Sequence, residues 1–353
     1  MAIRLDNLFV ASALGVGNGE TWANYLARRA PGMREIKGDI PGRSIWFGTV
    51  PFAGDKALTR TNQLISLAYG NLAAAIEALK AKYGASRVAI VLGASNTGID
   101  EAENYVDEWL DHGEKPAAMD FSMIELGTPS LFLRQLAGTA GPAYTVSTAC
   151  SSATKAFAAA KRLIESGHAD AAIVGGVDGR CRFAMNGFHA LGALSAGRCR
   201  PLAPDRDGIN LGEGVALFTM ERDCGQVELK GIGESSDACH ATAPEPAGRG
   251  AETAMAGALR DAGIGPKAID YVNLHGTGTV ANDDMETRAL RRVFGEELPV
   301  CESTKDLTGH CLGAAGAVEA AICYLRIANG ASRACLSSSF AFGGSNAAIV
   351  LHA

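Results

Sequence analysis

Two stretches of this chain follow one plan, and that duplication limits the fold more than any other feature. Thr148–Gly176 (TACSSATKAFAAAKRLIESGHADAAIVGG) and Thr308–Ser339 (TGHCLGAAGAVEAAICYLRIANGASRACLSSS) each run from a turn through an Ala-rich helix and a Gly-bounded loop to a strand of small residues. A fainter echo pairs EALKAKYGASR, VAIVL and GASNTG with GALRDAGIGPK, YVNL and HGTGT. Two copies imply a duplicated core, since a solenoid needs three or more repeats. Strand-like and helix-like segments alternate throughout, which predicts an α/β fold. Strands are expected at the N-terminus and over Arg87–Leu92, Ala171–Val174, Ala268–Leu274 and Ala347–Leu351. Helices are expected over Asn62–Lys82, Ser151–Ser166, Glu252–Ala262 and Gly313–Ala328. The seam falls near Asp223–Val227 and divides a half at 1–225 from a half at 226–353. The Ala-rich helices, one per half, suit the middle of a doubly covered sandwich.

The composition closes off several classes. The net charge of −6 argues against a general nucleic-acid binder, which carries a basic excess or stripe. The 9 cysteines include no C-x-x-C pair, so zinc ribbons and thioredoxin-like motifs are not expected. An odd, scattered set fits a reducing cytoplasm better than a secreted disulfide scaffold. No apolar run reaches the roughly 18–20 residues of a membrane span, and the N-terminus, which carries Asp6 and turns glycine-rich, reads as a strand and not as a signal peptide. Gly15–Gly19 lacks dinucleotide-loop spacing, and Gly93–Gly98 is no G-x-S-x-G elbow. His112, His168, His189, His240 and His352 show no ligand spacing, so neither a metal nor a cofactor is expected.

Four constellations carry chemistry. In VSTACSSA, Cys150 stands between an apolar stretch and a helix-forming run. A thiol at a helix N-terminus is expected to have a lowered pKa and to serve as a nucleophile. In NLHGTGT, His275 stands where an apolar strand stops. In STKDLTGHCLG, His310 occupies the place in the second half that Cys150 holds in the first, so pseudo-symmetry would turn both toward one pocket. A cysteine with distant histidine partners is a candidate catalytic set. In SFAFGGSN, Gly343 and Gly344 let backbone approach a ligand, and N–H groups there could hold a developing oxyanion.

These motifs, in this order, resemble the condensing enzymes, specifically the elongating β-ketoacyl-acyl-carrier-protein synthases. RPLAPDRDGINLGEG (Arg200–Gly214) is similar to a further segment of that family, and the likeness covers almost the whole chain. The resemblance implies a thiolase fold of five αβαβα layers, built from two pseudo-symmetric halves, and a dimer. It implies that Cys150 takes an acyl chain from an acyl-carrier protein, with the amides of Cys150 and Phe342 as oxyanion hole. His275 and His310 would bind the carbonyl of a malonyl-loaded carrier protein and favour loss of CO₂. Lys305 would organise the histidines with Glu319 as its partner. Asp283 and Glu286 match the family's acidic positions, Thr277 and Thr279 belong to the same His motif, and Phe342 looks like the gate of the acyl pocket. Two histidines mark the elongating type, whereas a second Cys would mark a thiolase.

Departures from the family pattern are also legible. The chain is short, and the loop after Gly330 is nearly absent. Asp306 stands in place of Ser, Ala341 in place of Gly, where it would stiffen the gate loop, and Gly192 where a basic docking residue is common. Docking would then fall to Lys56, Arg60 or other basic residues near the entrance. The trimmed loops point toward polyketide or polyene assembly over housekeeping fatty-acid synthesis. The partner chain is either a second copy or a related synthase subunit, expected to be contacted around Thr128–Arg134. The alternative is a chain-length-factor-like subunit of a heterodimer, which would usually lack the nucleophile.

Overall fold

The computed structural model describes residues 2–353. Strand β1 is Ile3–Ser12, β2 Val88–Gly93, β3 Ala143–Val146, β4 Ala171–Asp178 and β5 Gly214–Arg222. They form one sheet in the order β3-β2-β4-β5-β1. Strand β6 is Val227–Ser236, β7 Tyr271–Asn273, β8 Val300–Glu302, β9 Ala334–Phe340 and β10 Ser345–His352. Their order is β8-β7-β9-β10-β6, the same permutation. The two sheets meet where β1 pairs with β6, at Arg4–Glu228 and Leu5–Val227. The duplication seen in the sequence is therefore one of topology.

Burial explains why these segments are strands. All six residues of β2 and all eight of β4 are buried, as strands covered on both faces must be. Side chains alternate between two cores, with period two. Val88, Ile90 and Leu92 join the outer core with helices α1 (Arg60–Tyr83) and α2 (Thr128–Ala137). Ala89 and Val91 face the inner core with α3 (Ser152–Glu165). Further along the chain come α4 (Arg182–Ala190), α5 (Arg249–Ala262), α6 (Val280–Phe294) and α7 (Ala315–Ala328). Helices α3 and α7 fill the space between the sheets, and α5 and α6 cover the far face of the second. The result is five layers, αβαβα.

The central layer works because its residues are small. A Cβ on Gly93 would lie 2.2 Å from the Ala153 nitrogen, and one on Gly316 would lie 2.1 Å from Thr154 Oγ1. Glycine thus lets β2 and α7 both close on the start of α3. Three expectations change. The strand over Ala268–Leu274 shortens to β7, because Pro266 opens a 3-10 turn over Pro266–Ala268. The helix expected from Gly313 begins at Ala315, after a 3-10 turn at Leu312–Ala314. Helix α1 is long and apolar enough by composition to cross a membrane, with a window of mean hydropathy 1.2. Its Leu64, Ile65, Leu72 and Ile76 instead fill the outer core.

Candidate active site

Cys150 sits on a forced turn. Ala149 before it has φ 51°, a region that side chains rarely occupy, and α3 begins two residues later. The two serines of TACSS hold this turn. The Thr148 N–H donates to Ser152 Oγ at 2.9 Å, and Ser151 Oγ donates to the Thr148 carbonyl at 2.9 Å. Ser151 Oγ also lies 3.0 Å from Ser345 Oγ, whose hydroxyl is free to donate to it, tying the turn to the glycine-rich loop of the second half.

The pseudo-symmetric partner arrives as the repeat implies. His310 Nε2 lies 2.9 Å from Cys150 Sγ, and the His275 and His310 rings stand edge to face with centroids 5.4 Å apart. The three groups are buried at the end of a cavity of about 390 Å³. The sulfur and one nitrogen of each ring all lie within 4.8 Å of one another, as the candidate catalytic set requires. Thr277 and Thr279 line the same cavity, with their hydroxyls 2.9 Å apart.

Behind the histidines lies a buried ion pair. Lys305 is fully buried, and its ammonium donates to Glu319 and to the His275 carbonyl. Glu286 accepts the N–H groups of His275 (2.8 Å) and Gly276 (2.7 Å), and Asp283 accepts that of Gly278 at 3.2 Å. Asp283 also accepts the Leu202 N–H at 2.7 Å, which anchors the Arg200–Gly214 segment. These acids hold the His-Gly-Thr-Gly-Thr backbone and not the reacting atoms. Asp306 has turned away toward Arg28 at the surface.

The titrations follow from burial. Desolvation, then the Lys305 charge, then for His275 its neighbour His310, hold both imidazoles well below the ordinary histidine value. Both are neutral in the fold. The expectation of a lowered Cys150 pKa fails. Burial pushes the thiol up to about 11, and the Lys305 charge and the N–H groups of Phe342 and Cys150 only partly offset it. The helix starts too late, and the site is too dry, for its N-terminus to prevail. Desolvation raises Glu286 to about 7 and Glu319 to about 6.

Phe342 closes one side of the cavity. Its ring stacks on Phe188 of α4 at 5.3 Å, and its backbone N–H reaches the Cys150 sulfur. Gly343 follows with φ 79° and donates to the Ala241 carbonyl at 2.7 Å. Ala341 has ordinary extended backbone, so the special geometry lies at Gly343 and Gly344. Arg60 is not available for docking, because it is clamped to Glu213, Val50 and Phe52 in a separate cleft. Sequence reasoning missed Asp178, which is fully buried and accepts from Ser95 N, Ser95 Oγ and Asn96 N. A carboxylate closing the apolar run AAIVGGV was its signal.

Residues 55–224 match the N-terminal domain model of the β-ketoacyl synthases, and residues 227–338 match the C-terminal one. The chain belongs to the β-ketoacyl synthase family. It is 40% identical over 204 residues to nodulation protein E of Rhizobium meliloti, covering 55% of this chain and 50% of that protein. It is 34% identical over 262 residues to 3-oxoacyl-[acyl-carrier-protein] synthase 2 of Staphylococcus aureus, covering 69% of this chain and 64% of that one. The chain thus spans from half to about two thirds of the length of these relatives. A chain in the complex of the ketosynthase ApeO with its chain length factor ApeC, from Xenorhabdus doucetiae, superposes with a TM-score of 0.95. That match has 38% identity and covers 99% of this chain and 98% of that one.

Proposed function

We propose that this chain joins acyl units by decarboxylative Claisen condensation, as a 3-oxoacyl-[acyl-carrier-protein] synthase. One observation carries the reading: Cys150 Sγ lies 2.9 Å from a neutral imidazole, with a second imidazole beside it, at the end of a cavity that reaches the surface. A thiol near 11 is roughly one part in ten thousand ionised at pH 7, so it needs a base. His310 Nε2 is placed to take the proton as sulfur attacks the acyl thioester carbonyl. The oxyanion forms beside the Cys150 and Phe342 N–H groups. It collapses, the carrier thiol leaves with a proton, and the acyl chain stays on Cys150.

The second step uses neutral donors. The malonyl thioester carbonyl accepts from His275 and from His310 once the neutral His310 ring carries its proton on Nε2, which stabilises the enolate formed when the C–C bond to the carboxylate breaks and CO₂ departs. The enolate carbon attacks the acyl-Cys150 carbonyl, the C–S bond breaks, and the Cys150 thiolate takes a proton from solvent, since the malonyl carboxylate brings none. The product is a β-ketoacyl thioester two carbons longer. Lys305 and Glu319 hold the His275 backbone during both steps, and Glu286 and Asp283 hold the turn that follows it.

The substrates are acyl and malonyl groups on an acyl-carrier protein. The pathway is polyketide or polyene assembly, in the cytoplasm, where the nine free cysteines stay reduced. A working unit of two chains fits one face of the fold. There the edge strand β3 exposes Tyr144, beside exposed Phe121, Ile124 and Leu131. The complex of ApeO with ApeC makes a related, unlike partner the preferred second chain. Retention of Cys150, His275, Lys305 and His310 favours the catalytic role over the chain-length factor. We divide the chain into halves at 1–225 and 226–353, at the break between β5 and β6. Incubation with an acyl-carrier thioester should add one acyl mass to the protein and none to Cys150→Ala. Equal labelling of the variant would remove Cys150 as the nucleophile.

A further inference from the structure

The loop that follows β2 is the first-half image of the loop that carries His275. Gly93 of β2 pairs with Gly176 of β4 as Asn273 of β7 pairs with Ser337 of β9, which matches Ser95 to His275 and Asn96 to Gly276. GASNTG (Gly93–Gly98) and NLHGTG (Asn273–Gly278) therefore occupy the same place in their halves. Each loop gives two consecutive N–H groups to one fully buried acid. Glu286 accepts those of His275 and Gly276, and Asp178 accepts those of Ser95 at 2.9 Å and Asn96 at 2.7 Å. A hydroxyl completes each arrangement. Ser338 Oγ donates to Glu286 at 3.0 Å, and Ser95 Oγ donates to Asp178 at 2.8 Å. Glu286 thereby holds a reacting imidazole, whereas Ser95 lies outside the lining of the active-site cavity.

Asp178 holds the turn after His310 instead. Ser95 Oγ, oriented by Asp178, accepts the Gly313 N–H at 3.3 Å. A Cβ on Gly313 would lie 2.7 Å from Asp178 Oδ2 and 2.8 Å from the Ala94 carbonyl carbon, so the turn packs flat against the loop. Between His310 and Gly313 comes Leu312 with φ 49°, a conformation that persists only where the surroundings impose it. On the other side, the His310 N–H donates to the Asn210 carbonyl at 2.7 Å, and its carbonyl accepts from Gly212 at 2.9 Å. The ring itself has few holds. Its Nε2 meets Cys150, and its Nδ1 has no hydrogen-bond partner among the described residues. The aim of the imidazole is therefore set by the backbone on either side of it.

We propose that Asp178 is a positioning residue for His310, which through Ser95 and the Gly313 N–H fixes the turn that aims His310 Nε2 at Cys150 Sγ. The inference rests on the role given above to His310 as the base that takes the Cys150 proton. Each histidine then has its own buried acid. Glu286 acts on the His275 N–H directly, and Asp178 acts on His310 across the two halves. A misplacement of about 1 Å in such a pair costs about a hundredfold in rate.

Iodoacetamide alkylation of Cys150, followed by peptide mass, tests this without an acyl donor. With His310 in place the thiol passes its proton to a neutral ring, so the wild-type rate should vary less than about threefold from about pH 7 to about pH 9. Asp178→Asn replaces an acceptor oxygen by a donor, and Ser95→Ala removes the acceptor of the Gly313 N–H. Both should slow alkylation at about pH 7 by about tenfold or more. Their rates should then climb about tenfold per pH unit, because they wait for the thiolate of a thiol with a pKa of about 11. The charges that face Cys150, Lys305 and Glu319, are unaltered in both. In a His310→Ala background, Asp178→Asn should change the rate by less than about twofold. Variant profiles parallel to that of the wild type, a wild-type profile as steep as theirs, or slowing that persists without His310 would overturn the proposal. Ser95→Ala removes only a half-buried hydroxyl and carries the test if Asp178→Asn does not fold; an unaltered rate there would also overturn it. The expected profiles with no acyl transfer to the wild-type protein would uphold this inference and defeat the condensing reading.

Discussion

Lys305→Met isolates a charge in the driest part of the molecule. The Lys305 side chain is 1% exposed and that of Glu319 3%, so neither can turn to water. Removing the cation leaves a carboxyl that burial already raises to about 6 even with Lys305 beside it. Breaking one partner of a buried pair costs about 3–5 kcal/mol, a large share of a stability of about 5–15 kcal/mol. Lys305→Met/Glu319→Leu removes both charges, and buried pairs replaced by apolar groups of similar size are often neutral, so it should recover all but about 1–2 kcal/mol. The sign with pH is also fixed. A carboxyl whose folded pKa is raised gives stability that is full below its unfolded value and is lost as pH rises through the folded one. Lys305→Met raises the Glu319 value further, so its deficit should narrow from pH 8 toward pH 5. Urea unfolding of wild type, both single variants and the double variant measures all of this. A Lys305→Met loss under about 1 kcal/mol, or a double variant as unstable as Lys305→Met at every pH, would refute the reasoning. Lys305→Met and the double variant should both lose condensation, since the His275 carbonyl loses its donor in each.

Three further outcomes follow from the geometry. Gly316→Ala gains about 1 kcal/mol of helix propensity but drives a Cβ to 2.1 Å from Thr154 Oγ1, so a net loss of about 1–3 kcal/mol in thermal unfolding is expected, with slower Cys150 acylation. His275 and His310, held neutral by burial, should show no imidazole titration by NMR from pH 8 down to well below the ordinary value of about 6.5. Their depressed values give stability that is present above about 6.5 and lost as pH falls; an inflection near that pH would count against the dry site. Phe342→Ala removes a stack worth about 0.5–1.5 kcal/mol and opens the cavity, so a bulky maleimide should modify Cys150 several-fold faster. An unchanged rate would mean that Phe342 does not limit access.

Much of this could be read before any coordinates. The paired Ala-rich segments gave the two halves, because only small residues let α3 and α7 lie together between two sheets. The place of His310 in the second copy put it opposite Cys150, and the sulfur–nitrogen contact is where that pairing led. Other features were hidden, for physical reasons. The Cys150 pKa depends on how much water the finished site excludes, and no local pattern reports that. Arg60 looked like a free surface cation, yet it bonds to Glu213, which lies far along the chain. Asp178 bonds across two loops, so its partners appear only once the sheet has formed.

The central claim is that one cavity both holds the acyl chain and extends it. The most direct measurement starts from purified acyl-Cys150 protein, adds malonyl-carrier protein, and reads the masses of enzyme and carrier together. The account predicts that the enzyme loses its acyl mass as the carrier gains a β-ketoacyl group two carbons longer, with one CO₂ per event, and that His275→Ala blocks this while still accepting the acyl group. An acyl-enzyme that persists or hydrolyses with no extended carrier, in the presence of its partner subunit, would contradict it.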